Sequence, residues 1–240
     1  MTWLKLASVS VLVLTLSSCD NGPTSPTGSM FVTIDFSGSS QGFVAGFADY
    51  PPANAAIYFL QSAHLPLPEG VRATGSGLFI SGVNRSDDLF MYYKGRLTGL
   101  MPNTMYRAGF VLGLATNAPR GCTGVGGAPG ESVYLKAGVS AVEPVGILAG
   151  DGHLRMNIDK GNQSNGGADA VTLGDVANTQ PCGEGLPRYE LKTVSSGGQE
   201  VVAQSDAQGR LWLLFGTDSG FESLTAIWYT QISVNLTPIS

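Results

Sequence analysis

Histidine and charge are both scarce in this chain: among 240 residues there are two His, 13 Lys or Arg and 18 Asp or Glu. The basic residues never cluster, and Lys94-Gly95-Arg96 is their nearest approach. That argues against a nucleic-acid partner, which needs a basic footprint to displace counterions. With only His64 and His153 to draw on, neither at ligand spacing, a zinc site has no complete donor set. No Gly-rich phosphate loop is present. The apolar run from Leu6 to Leu16 is too short to cross a bilayer as a permanent helix. Helix-favouring Glu, Lys and Arg are few, and after Met30 no helical period persists.

What the N-terminus does hold is specific. Lys5 precedes the apolar run, which leads into Leu16-Ser17-Ser18-Cys19. A basic residue, a short apolar core and small residues before a cut are the layout of a signal peptide. The last four residues resemble the lipobox of bacterial lipoproteins: an aliphatic residue, two small ones and a cysteine. The resemblance implies a diacylglyceryl group on Cys19, cleavage just before it, and acylation of the new amine by a fatty acid such as palmitate. Several acyl chains anchor stably where one alone is marginal. In enteric members of that family, an Asp such as Asp20 directly after the cysteine signals retention in the inner membrane. Residues 20–29, DNGPTSPTGS, have no large apolar side chain to bury and are expected to form a flexible tether. The expected organisation is a signal peptide over 1–18, a lipidated Cys and tether over 19–29, and a folded domain over 30–240.

In that domain, short apolar runs of period two alternate with Gly- and Pro-rich turns. Val32, Ile34 and Phe36 share one face of a first strand; Phe43 to Phe47 and Ile57 to Leu60 follow. Leu89, Met91, Tyr93 and Leu97 alternate with Lys94 and Arg96, and Tyr106, Ala108, Phe110, Leu112 and Leu114 alternate more clearly. Val133, Leu135 and Ala137 repeat the pattern, as do Leu154, Met156 and Ile158. Tyr189 to Val194, Val201 to Gln204 and Leu211 to Phe215 come next, and a last strand sets Trp228, Ile232, Val234 and Leu236 on one face. The prediction is an all-β fold, an antiparallel Greek-key or jelly-roll-like sandwich of roughly a dozen strands. The alternative is a split near residues 139–152 into two β halves.

Leu100-Met101-Pro102-Asn103-Thr104-Met105-Tyr106 resembles the tyrosine corner of fibronectin type III domains. The resemblance implies that Tyr106 begins a long strand and that its hydroxyl bonds back to the backbone near the turn, a structural role. The tryptophan of that family is missing from Met30 to Leu60, so the corner is carried over and the family is not. Cys122 and Cys182 are the pair left after Cys19, and in an exported chain they read as one disulfide. Closing a loop of about 60 residues contributes roughly 4 kcal/mol at most in the chain-entropy model.

The most polar loop, Asp159 to Asp169, has the hard oxygen donors that Ca²⁺ takes, with Asp159, Asn162 and Asp169 as the first ligand candidates. Its spacing fits no EF-hand, and Lys160 opposes a cation, so an ordinary loop with Asx-turns is the competing reading. Asp218-Ser219-Gly220 superficially resembles the nucleophile segment of trypsin-like proteases, with His64 as the base to test. Phe221 stands where that family has a second glycine, and the segment otherwise reads as a turn entering the last strand. A glycosidase-like carboxylate pair needs a geometry that sequence does not supply. Tyr92, Tyr93, Trp212, Trp228 and Tyr229 belong either to the core or to a sugar-binding face. Neighbours such as Tyr92-Tyr93 and Trp228-Tyr229 must point to opposite faces of a sheet.

No resident cofactor is expected apart from the calcium just weighed. The expected function is a membrane-anchored, non-catalytic module that binds carbohydrate or another envelope component. An anchored hydrolase using carboxylates or calcium, and a structural envelope protein, are the competing classes. Converging acids in a deep cleft favour the hydrolase, whereas aromatics on an open surface favour the binding module.

Overall fold

A computed structural model describes residues 28–71 and 74–239. The signal peptide, Cys19 and most of the tether, residues 1–27, lie outside the described residues. The first strands are β1 (Met30–Asp35), β2 (Val44–Ala48), β3 (Gln61–Pro66), β4 (Ser76–Val83), β5 (Leu89–Leu97), β6 (Met105–Thr116) and β7 (Val133–Ser140). There follow β8 (Gly146–Leu148), β9 (Leu154–Met156), β10 (Ala170–Asp175), β11 (Glu190–Ser195), β12 (Val201–Gln204), β13 (Leu211–Ser219) and β14 (Leu224–Ile239). They build an all-β sandwich of two antiparallel sheets. The front sheet runs β11-β6-β14-β4-β3, with β1 added to β14 and β12 to β6; the back sheet runs β10-β7-β13-β5-β2. Strands β4, β5 and β6 pass from front to back to front, and β13 and β14 from back to front, a jelly-roll-like winding. Because β13 lies between β5 and β7, and β14 between β4 and β6, both sheets mix strands from either side of residues 139–152. That stretch begins an insertion in one sandwich and is not a boundary.

The alternation dictates the layers. Along β6, Tyr106, Ala108, Phe110, Leu112 and Leu114 are buried in the core, while Met105 and Arg107 face out. Rings from both sheets interlock at the centre: Phe215 of β13 meets Tyr229 of β14 edge-on at 5.0 Å, and Phe36 and Phe43 pack against Phe215 at 5.8 and 5.5 Å. Each such side chain stabilises the fold by roughly 1.5–3 kcal/mol on leaving water. The Tyr93 hydroxyl donates to the Phe79 carbonyl at 2.6 Å, so this phenol enters the core with its polar end satisfied. Tyr106 does likewise at the β5–β6 turn, where its hydroxyl accepts the Met101 N–H at 2.9 Å.

Three expectations differ from the structure. Ile57 to Leu60 is not a strand: Pro52–Tyr58 is a short 3₁₀ helix, begun by prolines that fix φ and ended at Phe59 with φ 47°. Trp228 does not share a face with Ile232, because a bulge between Tyr229 and Gln231 inserts one residue and inverts the alternation. Ser219 is not in a turn but ends β13, where it pairs with Leu89 and Val133.

Candidate functional site

The two outer faces of the sandwich differ sharply. On the back sheet, the outward residues Phe90 and Tyr92 of β5 and Leu214 of β13 are buried, together with Ile158, in a second apolar cluster. The cover is the insertion after β7, with its β8–β9 hairpin and the 159–169 loop. Phe90 and Tyr92 stack at 5.2 Å beneath it, and Gly46 leaves the Tyr92 ring room that a Cβ would fill.

Under the same cover three carboxylates from distant parts of the chain converge. Oxygens of Asp49, Asp88 and Asp218 lie within 4.8 Å of one another, in a set none of whose members was singled out as a ligand or acid from sequence. The insertion supplies their counter-charges. Lys160 Nζ lies 3.0 Å from Asp49 Oδ2, 2.8 Å from Asp218 Oδ2 and 4.9 Å from the centre of the Phe90 ring. Arg155 reaches Asp49 at 3.2 Å and Asp88 at 3.5 Å, and the Gln163 N–H donates to Asp218 at 2.9 Å. Burial pulls the Lys160 ammonium toward deprotonation, but Asp218 and Asp49 outweigh it and hold its pKa above the ordinary value. Asp88 goes the other way: burial first, then the charges of Asp218 and Asp49, raise its carboxyl to about 7. Buried Lys136 is lowered to about 8 by desolvation, and its Nζ donates to the Asn165 carbonyl. The acids do converge, but in a largely buried, charge-paired cluster.

The residues weighed for metal or nucleophilic chemistry are committed elsewhere. Asp159 accepts the Gly161 and Ala168 N–H groups at 3.0 and 2.9 Å, and Asp169 accepts the Asp159 N–H at 2.8 Å. Asn162 and Asn165 close the loop tip through mutual backbone hydrogen bonds. These carboxylates shape the loop as Asx-turns do. His64 Nε2 bonds the Phe36 carbonyl at 2.7 Å, and Ser219 Oγ donates to the Phe221 carbonyl at 3.0 Å. Both members of the serine–histidine pair therefore have backbone partners.

The front sheet is left open. Across it, outward residues of two strands and the approach to β11 bring Tyr189, Trp228 and Phe79 into one row. Tyr189 meets Trp228 edge-on at 5.1 Å, and Phe79 packs against the other neighbour side of Trp228 at 4.5 Å. Among the described residues, the Trp228 indole N–H is buried without a partner. Beside Tyr189, a cleft of about 570 Å³ is lined by Gly70, Val71, Arg188, Tyr189, Glu190 and Leu191. Next to the row the floor is small and neutral: Gly113 lies under Thr230 and Gln231, with Thr193 exposed on β11 and Ser233 on β14 paired to Val111.

Local chemistry holds Tyr189 in place. Cys122 and Cys182 are joined, with their Cα atoms 5.1 Å apart, and the loops they tie run side by side through the Arg120 and Cys182 N–H groups. From the second loop, Asn178 Nδ2 donates to the Arg188 carbonyl at 3.0 Å, and Gln180 Oε1 accepts the Arg188 N–H at 3.1 Å. Thr179 hydrogen bonds hold the next carboxyl, Glu190, below its usual range.

Of the five aromatics weighed, Tyr93 and Tyr229 are core, Tyr92 lies beneath the insertion, and Trp228 faces the open sheet. Trp212 points outward from the back sheet with Arg96 4.7 Å from its ring centre. Tyr189 and Phe79 were missed as partners of Trp228. Only the pairing of β11, β6, β14 and β4 brings them together, and no local spacing announces it.

No protein-family model and no curated protein matches the chain. Among solved structures, a xylan-binding domain from Paenibacillus barcinonensis aligns with 90% of this chain and 100% of its own, at 10% identity and a TM-score of 0.40. A putative sugar-binding protein from Bacteroides thetaiotaomicron aligns with 81% of this chain and 88% of its own, at 8% identity and 0.39. Tailspike protein 4 of bacteriophage CBA120 aligns with 80% of this chain at 8% identity and 0.33, and the match spans only 19% of the tailspike. Likenesses this distant bear on neither activity nor ligand.

Proposed function

We propose that this protein is a non-catalytic carbohydrate-binding module of a bacterial envelope, tethered to the membrane by a lipid on Cys19. Its binding surface is the open face of the front sheet. The observation that carries the reading is the contiguous row Tyr189, Trp228 and Phe79 on the uncovered face. A sugar ring has apolar C–H faces and a polar rim. Aromatic side chains match the first, and neutral hydroxyl and amide groups such as Thr193 and Gln231 match the second. The converging carboxylates favour a non-catalytic reading, because they are engaged in ion pairs with Lys160 and Arg155. Export agrees with the disulfide, a bond that persists in oxidising compartments.

The test uses the full chain in detergent, against an array of neutral glycans and against polysaccharides extracted from bacterial envelopes. Binding is expected, and Trp228→Ala and Tyr189→Ala should each weaken it about tenfold or more, the loss of roughly 1.4 kcal/mol. Failure of the unaltered chain to retain any of these glycans overturns the proposal. Capture of an envelope protein in their place would do the same.

A further inference from the structure

Along β14 the open face does not stop at the aromatic row. Beyond the bulge, Gln231, Ser233 and Asn235 point outward in sequence, opposite Gly113, Val111 and Gly109 of β6. Their buried neighbours Ile232, Val234 and Leu236 fill the core, which fixes the outward direction of the polar set. Asn235 pairs on its other side with Phe31 of β1, whose side chain is 65% exposed and stands on the same face. Two aromatic sites thus flank a polar track. From Trp228 to Asn235 the strand rises by roughly 20 Å at about 3.3 Å per residue once the bulged residue is discounted. That is several times the width of one sugar ring.

Along β14 and β6 the track is also uncharged. Its outward side chains are amides, hydroxyls, Val111 and glycines, and Thr33 Oγ1 bonds Ser233 Oγ at 2.8 Å across the β1–β14 pair. Charges enter at its margins: Arg107 lies beyond the far end, Asp35 of β1 pairs with Gln231 at the near end, and the Arg188–Glu190 pair, mutually bonded at 3.1 Å, lies beside that end. A face of this kind matches neither a polyanion nor a polycation. Gly109, whose outward direction has only Ser196 Oγ within 4 Å of a Cβ position, leaves the floor low enough for a ligand to lie along the strands.

Resting on the carbohydrate reading above, we infer that the ligand is a linear, uncharged glycan chain of several units. It lies along β14 from the Trp228 row to Phe31 and is recognised along its length, not at one terminal sugar. Phe31 is the second stacking residue.

The experiment is calorimetric titration of the full chain in detergent with xylo-, cello-, manno- and laminari-oligosaccharides, from mono- to hexasaccharide, and with polygalacturonate as the charged control. In one neutral series affinity should rise about tenfold or more between di- and hexasaccharide. Phe31→Ala removes an exposed ring and leaves the core intact. It should erase most of that rise while leaving disaccharide binding unchanged, whereas Trp228→Ala should weaken every length. Equal affinity for short and long chains, or preference for polygalacturonate, overturns this inference and leaves the carbohydrate reading standing. A full length dependence retained by Phe31→Ala overturns the role of Phe31 and the proposed track. Absence of binding to every glycan here and in the wider array overturns the carbohydrate reading itself.

Discussion

At Asp88, burial together with the charges of Asp218 and Asp49 raises the carboxyl from 3.8 to about 7, against the pull of Lys160. The folded protein therefore holds a proton there that the unfolded chain releases. Its stabilising effect is complete below 3.8, is lost as pH climbs toward about 7, and is gone above it. Asp88→Asn keeps the shape and a donor for Asp218 without the titration. It should flatten the fall in stability between these limits and raise the unfolding midpoint above pH 7, by about 2–4 °C per kcal/mol for a chain of this size. Urea or thermal unfolding across that range checks this; a variant less stable above pH 7 would mean that the network needs the third negative charge. Sequence carried little of this. Asp49 follows β2, Asp88 precedes β5 and Asp218 lies in β13, so their meeting is a product of sheet order. Tyr106 and the Cys122–Cys182 pair were readable, because each depends on a local motif or a simple count.

Strands announced themselves where one face is buried and the register is regular. Val201 to Gln204 coincides with β12, and the alternation from Tyr106 to Leu114 lies within β6. The misreadings have local causes. A single bulged residue turned Trp228 away from Ile232, and strict alternation has no way to register one extra residue. The insertion over the back sheet left only a weak trace, since β8 and β9 have three residues each and their stability comes from the surface they cover. Lys160 is the pin of that cover. Lys160→Met keeps the apolar stem but leaves Asp49 and Asp218 without their ammonium. It should destabilise the fold by about 3–5 kcal/mol, as uncompensated buried charges do. Amide exchange should rise first across residues 141–169, and exchange that rises equally throughout the sandwich would show that the insertion is not a separate unit.

For the molecule as a whole, the sandwich was legible from period and turn composition, whereas the contrast between one capped and one open face was not. That contrast comes from where an insertion folds back, and no periodicity encodes it. The proposed lipid places the whole domain: Cys19→Ala should shift the protein from the membrane pellet to the soluble envelope fraction, with glycan binding unchanged. Retention in the pellet after that substitution would refute the anchor. The antiparallel pairing of β1 with β14, six residue pairs from Met30–Leu236 to Asp35–Gln231, then has a mechanical consequence. A pull from the lipid enters at Met30, at the end of β14 remote from Trp228. A glycan gripped at the Trp228 end draws the opposite way along nearly the same line. The β1–β14 ladder is loaded in shear, with its hydrogen bonds strained together, and not peeled open one after another. A cell dragged against the surface its glycan belongs to would test the domain along its strongest direction.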